Sequence, residues 1–157
     1  MKKRSIVLIC LLILLDQLTK YIISSAFLVG SSIEILPFFR LTYVTNTGIA
    51  FSLFQGSNIF FLIFTVVILS LLVSWYLKNI ENISKTVNLS LLLIFSGAIG
   101  NLIDRLFRGY VVDFLDFYIG TYHWPAFNLA DSCITIGGII LLISALSSKE
   151  KNKIKEI

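Results

Sequence analysis

Asp113 and Asp131 are the residues of this chain best suited to chemistry. Each carboxyl is set among apolar neighbours, Asp113 in Val111-Val112-Asp113-Phe114 and Asp131 at the end of Phe127-Asn128-Leu129-Ala130-Asp131, where a long apolar run begins. A carboxylate at the edge of hydrocarbon loses hydration that lipid cannot replace, so a charge there marks a candidate site. Two such groups near one face suit paired acid/base chemistry on water, one taking a proton while the other gives one. Asp131 also has a structural explanation, since an acid in the first turn of a helix is favoured by the dipole and Asn128 fits as its N-cap. The equivalent explanation for Asp113 is weaker, because no base lies beside it. Asp116, three residues on, reads as a solvated acid.

Three further polar groups accompany the pair. Asp16 and Lys20 are four apart, so on a helix they point the same way and pair. Taken alone, an ion pair that makes two charges tolerable at a helix end outweighs a binding role by roughly two to one. Asn46-Thr47-Gly48-Ile49-Ala50-Phe51 begins like a turn, with Asn46 able to present an amide to an extended peptide. In Gly97-Ala98-Ile99-Gly100-Asn101-Leu102-Ile103-Asp104-Arg105, Asn101 and Arg105 share a helix face with Asp104 on the neighbouring row. Asp104 and Arg105 read as markers of the water boundary, whereas an amide one turn deeper is costly unless it is used. Cys10, Cys133 and the single histidine, His123, have no metal-ligand spacing, so neither a zinc site nor a thiol nucleophile is expected.

The elements that must position these groups are mostly membrane helices. The chain has 157 residues, 57% of them hydrophobic, and a mean hydropathy of +0.90. That is too apolar for a water-soluble domain of this size. Charge-free stretches at 5–15, 41–77, 86–103 and 132–148 predict four spans near 5–25, 58–77, 88–106 and 129–147 in one domain covering 1–157. The net charge of +4 does not indicate nucleic acid, because of where the charge lies. Nine basic residues (Lys2, Lys3, Arg4, Lys78, Lys85, Lys149, Lys151, Lys153 and Lys155) fall at the ends and in the 78–87 loop. The positive-inside rule then places both termini in the cytoplasm, in agreement with an even number of spans. Met1-Lys2-Lys3-Arg4 and the apolar run after it imitate a cleaved leader, but Asp16, Lys20 and the lack of a cleavage site predict a retained span. Small residues, Ser96 with Gly100 and Cys133 with Gly137, predict close helix packing. The β-branched and aromatic run 31–45, broken by Pro37, predicts short strands at the membrane surface, and residues 107–128 have the aromatic mixture of an interface.

Taken together, Asp16-Gln17-x-Thr19-Lys20, Asn46-x-Gly48-x-Ala50-Phe51, Gly97-x-x-Gly100-Asn101-x-x-Asp104-Arg105, Val111-Val112-Asp113-Phe114 and Phe127-Asn128-x-Ala130-Asp131 resemble the lipoprotein signal peptidases, or signal peptidase II, over about residues 8–147. The resemblance implies an all-α membrane protein with four transmembrane helices, a small extracytoplasmic β-cradle and a short surface helix after the third span. It implies an aspartic endopeptidase that removes the signal peptide from diacylglyceryl-modified prolipoproteins, cutting before the lipidated cysteine. Asp113 and Asp131 match the catalytic pair. Asp16, Lys20, Asn46, Gly48, Asn101, Arg105, Asn128 and Ala130 match positions that bind substrate or support the site. No metal or cofactor is expected. The implied partners are the prolipoprotein substrate and membrane lipid, with no nucleic acid, and the chain is expected to act as a monomer. Its implied place is the bacterial cytoplasmic membrane, as a multi-pass protein with the active site near the outer leaflet. The alternative from another class is a small proton-coupled transporter using intramembrane carboxylates.

Overall fold

The computed structural model describes residues 3–48 and 56–155. Four helices dominate: α1 (Lys3–Ala26), α2 (Asn58–Asn79), α3 (Lys85–Phe107) and α4 (Leu129–Lys155). Each contains a stretch long and apolar enough to cross a membrane: Arg4–Ala26, Asn58–Asn79, Lys85–Phe107 and Leu129–Ser147. The α2–α3 turn is closed by Ser84, whose side chain accepts from the Val87 N–H at 3.2 Å, satisfying one orphan donor of α3.

The all-α expectation is too narrow. Strands β1 (Ser32–Leu36), β2 (Phe39–Asn46), β3 (Val111–Ile119) and β4 (Tyr122–His123) form one antiparallel sheet in the order β1-β2-β3-β4. The hairpin between β1 and β2 turns at Pro37-Phe38, where the sequence breaks its β-branched run. The surface helix expected after the third span is absent among the described residues. Instead the chain turns at Gly109, whose φ of 79° suits glycine, and enters β3 directly. Val111-Val112-Asp113-Phe114 is β-branched and aromatic, so it extends rather than coils.

The sheet caps the end of the bundle where α1 and α3 finish and α4 starts. Ile23, Tyr43, Val112 and Phe114 form a buried cluster that ties α1 to β2 and β3. α3 is the central helix and packs most extensively on α4. That closeness depends on glycine. A Cβ at Gly97 would collide with the Ala130 carbonyl and come within 2.8 Å of Ile134, and one at Gly100 would lie 2.6 Å from an Asp16 oxygen. Of the small residues singled out for packing, Gly100 and Gly137 sit at such close approaches, whereas Ser96 is buried and donates to the Leu92 carbonyl. Gly97 makes the tightest approach of all and carries a packing role that the small-residue spacing overlooks.

Candidate active site

Asp113 sits near the start of β3, and strand pairing decides what it meets. In the β2–β3 register Val44 lies opposite Asp113, so Asn46, two residues along, is its diagonal neighbour on the same face. The Asn46 Nδ2 donates to Asp113 Oδ2 at 2.9 Å. Its Oδ1 accepts from the Gly48 N–H at 2.9 Å, an Asx-type turn that fixes which end of the amide faces the acid. Ala50 and Phe51, the last positions of that motif, lie outside the described residues.

Asn128 joins the two aspartates. Phe127 is pinned beside β3, where its carbonyl accepts from Phe114 and Leu115 at 2.9 and 2.8 Å. This places Asn128, fully buried, next to Asp113, and its Nδ2 donates to Asp113 Oδ1 at 2.7 Å. The same residue caps α4 as its sequence predicts: its Oδ1 accepts from the Asp131 N–H at 2.9 Å, while its own N–H donates to Asp131 Oδ2 at 3.2 Å. Asn101, on α3, donates from Nδ2 to Asp131 Oδ1 at 2.7 Å. Each carboxyl therefore receives two N–H groups from among the described residues. Burial, reinforced by repulsion from Asp131, pushes the Asp113 carboxyl up to about 7, against the pull of the Asn46 and Asn128 donors and of Lys20.

Behind this row lies a second, closed layer. Lys20 is wholly buried and contacts Asp16 at 2.9 Å, Asp104 at 3.1 Å and Asn101 Oδ1 at 2.9 Å. The predicted Asp16–Lys20 pair is thus present, but Lys20 turns inward. Asp16 reaches across to accept from the Ala130 N–H at 3.0 Å, an otherwise unpaired donor in the first turn of α4. Asp104 is no marker of the water boundary. It is completely buried, accepting from the Val112 N–H at 3.1 Å and pairing with Arg108 at 3.3 Å as well as with Lys20. Gln17 bridges Asp16 and Asp104 at 3.1 and 3.4 Å.

A cavity of about 570 Å³ opens onto the front layer. Asn46, Gly48, Asn101, Arg105, Asp113 and Asp131 supply its polar wall, with Trp124, Pro125, Phe127, Ile134 and Ile136 on the apolar side. Asp16, Lys20, Asn128 and Ala130 do not line it; they hold the groups that do. Arg105 donates to the Gly48 carbonyl at 3.3 Å and lies 5.9 Å from the Phe61 ring, while its buried Nε has no hydrogen-bond partner among the described residues. No cluster among the described residues is disposed to hold a metal ion.

The aromatic 124–127 segment was legible only as an interface anchor, although Pro125 beside Trp124 signals a fixed loop. Asp116 is neither solvated nor part of this site. Three residues from Asp113, it faces the other side of β3, where it pairs with Arg40 and its Oδ1 accepts from His123 Nδ1 at 2.9 Å.

The chain matches the family model described as Signal peptidase (SPase) II over residues 8–147. It is 43% identical over 155 residues to the lipoprotein signal peptidase of Francisella tularensis subsp. novicida, covering 96% of each chain. To that of Desulforapulum autotrophicum it is 41% identical over 158 residues, covering 95% of this chain and 98% of the relative. A solved bacterial membrane enzyme, determined by the in meso method at 2.3 Å resolution, superposes with a TM-score of 0.87 at 38% identity, over 96% of this chain and 92% of that one. These comparisons lend no support to a proton-coupled transporter. With described residues of its five motifs gathered at or behind the wall of one cavity and its match running almost end to end, the chain belongs to the signal peptidase II family of peptidases.

Proposed function

We propose that this protein is an aspartic endopeptidase that removes the signal peptide from diacylglyceryl-modified prolipoproteins, cleaving before the lipidated cysteine, with Asp113 and Asp131 as the catalytic residues. The observation that carries this reading is the pair itself: two carboxyls on the wall of one cavity, bridged by Asn128, at the end of an apolar helix bundle.

The chemistry follows from a shared proton. Two neighbouring acids do not both ionise readily, so near neutral pH one is carboxylate and the other acid. The carboxylate takes a proton from water as its oxygen adds to the scissile carbonyl carbon, and the acid gives its proton to the carbonyl oxygen. Collapse of the resulting gem-diol breaks the C–N bond. The leaving nitrogen receives the proton held by the first aspartate, and the second recovers its own from a diol hydroxyl. The pair titrates as a unit, so base and acid are roles of the dyad. Asn46, Asn101 and Asn128 orient the carboxyls, while Arg105 and Gly48 face the cavity where substrate carbonyls or the lipid head region would lie.

The apolar wall and the bilayer would divide the remaining work. A diacylglyceryl cysteine among acyl chains and a signal helix between spans hold the bond before the cysteine at the depth of the dyad, so orientation is supplied before chemistry begins. The Lys78–Lys85 turn lies at the end of the bundle opposite the sheet. With the positive-inside rule this supports cytoplasmic termini and a site near the outer leaflet of the cytoplasmic membrane. In this reading residues 1–157 form one domain that acts as a monomer.

The test is a gel-shift cleavage assay in detergent or lipid with diacylglyceryl-modified prolipoprotein and an unmodified control. Wild type is expected to cut only the lipidated substrate, with and without chelator, and Asp113→Asn and Asp131→Asn to cut neither. Cleavage by either variant at the wild-type rate removes that aspartate from the mechanism.

A further inference from the structure

We propose that Lys20, buried between α1 and α3 and out of reach of the cavity, is a positioning residue that sets the orientation of the Asn101 amide and so keeps an N–H on Asp131. This rests on the peptidase reading above and assigns Lys20 a definite task within it.

An asparagine amide offers an oxygen on one side and an NH2 on the other, and the two orientations occupy almost the same space. At Asn101 the choice decides whether Asp131 meets a donor or a second oxygen. An ammonium group has only donors. Its contact with Asn101 at 2.9 Å therefore demands the amide oxygen, which leaves Nδ2 for Asp131 at 2.7 Å. Asn128 Nδ2 also approaches Asn101 Oδ1, at 3.3 Å, and cannot itself reverse, because its own oxygen accepts from the Asp131 N–H. The buried cation, with the longer Asn128 contact beside it, thus imposes one direction on the amide between the hidden layer and the dyad. Lys20 is in turn held by Asp16 on α1 and Asp104 on α3, with Arg108 and Gln17 completing the cluster. On the dyad side the facing groups are Asp131, Asn46, Asn128 and Arg105. Lys20 also draws the Asp113 carboxyl downward, so its loss is felt as charge as well as geometry.

The experiment measures kcat, KM, the pH profile and the thermal midpoint of the full chain in detergent, with diacylglyceryl-modified prolipoprotein as substrate. Lys20→Met and Asn101→Leu are each expected to lower kcat on the order of 10²-fold, the effect of misplacing a catalytic group. KM is expected to change less than about threefold, because neither loss removes uniform substrate binding. The double variant is expected to be no slower than the worse single variant, because both remove the same N–H from Asp131. The acid limb of the Lys20→Met profile is expected to move to higher pH. Losses that multiply in the double variant overturn the proposal.

Lys20→Met leaves Asp16 and Asp104 facing one guanidinium, so Lys20→Met/Asp104→Asn serves as the charge-balanced folding control. Its thermal midpoint is expected to return towards wild type while kcat stays low; recovery of kcat along with stability makes Lys20 merely structural and overturns the proposal. If wild type cleaves and Lys20→Met matches its kcat and pH profile, the positioning role falls and the peptidase reading stands. If folded wild type cleaves nothing, the peptidase reading falls and this proposal falls with it.

Discussion

Replacing Asn46 by leucine isolates one of the two donors that hold the Asp113 carboxylate. The Asn46 Nδ2 lies 2.9 Å from Asp113 Oδ2 and, with Asn128, opposes the burial that drives the Asp113 carboxyl up to about 7. A hydrogen bond to a charged group contributes about 1.5–3 kcal/mol. At 1.36 kcal/mol per pH unit its loss moves the ionisation upward by about one to two pH units. With the form ionised at Asp113 taken as the active form of the pair and half populated at neutral pH, its fraction falls to between about a tenth and a hundredth, so kcat/KM at pH 7 is expected to drop about 5- to 50-fold. The loss is expected to shrink as pH rises past the new midpoint, because the carboxylate is restored. The assay is kcat/KM for the lipidated substrate across the titration range, with the dyad treated as a pair. A loss by the same factor at every pH refutes the reasoning. Asn46 would then act on the substrate, for instance through the Gly48 N–H that its oxygen holds at 2.9 Å, and not on the ionisation of Asp113.

Asp113→Asn tests the same environment through stability. The folded carboxyl is raised from 3.8 to about 7, so its contribution to stability is complete below the unfolded value and is lost as pH rises through the folded one, by on the order of 4 kcal/mol. The difference in thermal midpoint, variant minus wild type, is expected to become more positive between about pH 4 and about pH 7, and a flat difference contradicts it. Gly97→Ala inserts a methyl against the Ala130 carbonyl and Ile134, an overpacking expected to cost about 1–3 kcal/mol and to slow cleavage by shifting the start of α4; an unchanged midpoint in thermal denaturation refutes this. Tyr76→Phe removes the 2.7 Å hydrogen bond to Asn88 in the buried cluster at the far end of the bundle, and is expected to cost about 1 kcal/mol in the same assay while leaving kcat unchanged.

What the sequence made legible divides by the range of the interactions involved. Asn128 as the cap of α4 and the Asp16–Lys20 pair are short-range relations along a helix, and both are present at about 2.9 Å. The strands on either side of Pro37 follow from a local β-branched run. The segment after α3 has the same composition, yet β3 owes its position to partners some seventy residues earlier, which no local pattern reveals. Asp104 shows the limit most clearly. One turn from the end of an apolar helix, it looks like a water-boundary charge, but the sheet that folds over it and the lysine from α1 turn that place into interior. The opposite facing of Asp113 and Asp116 follows from strand parity alone, once a strand is assigned.

The two layers explain why so many polar residues are tolerated in so apolar a chain. Asp16, Lys20, Asp104 and Arg108 carry two charges of each sign, so the hidden layer is neutral as a whole while satisfying backbone donors of both β3 and α4. Such a cluster is costly to break one member at a time, because each removal strands a buried partner. That cost fixes α1, α3, β3 and α4 relative to one another, and the fixed elements hand their amides to the dyad. Each of the four carboxyl oxygens of Asp113 and Asp131 accepts one N–H from among the described residues. A carboxylate oxygen has room for two. In the mechanism proposed above, these bonds set the direction of each carboxyl while the second position on each oxygen serves the proton and the water, and Asn128, bonded to both residues, couples their orientations.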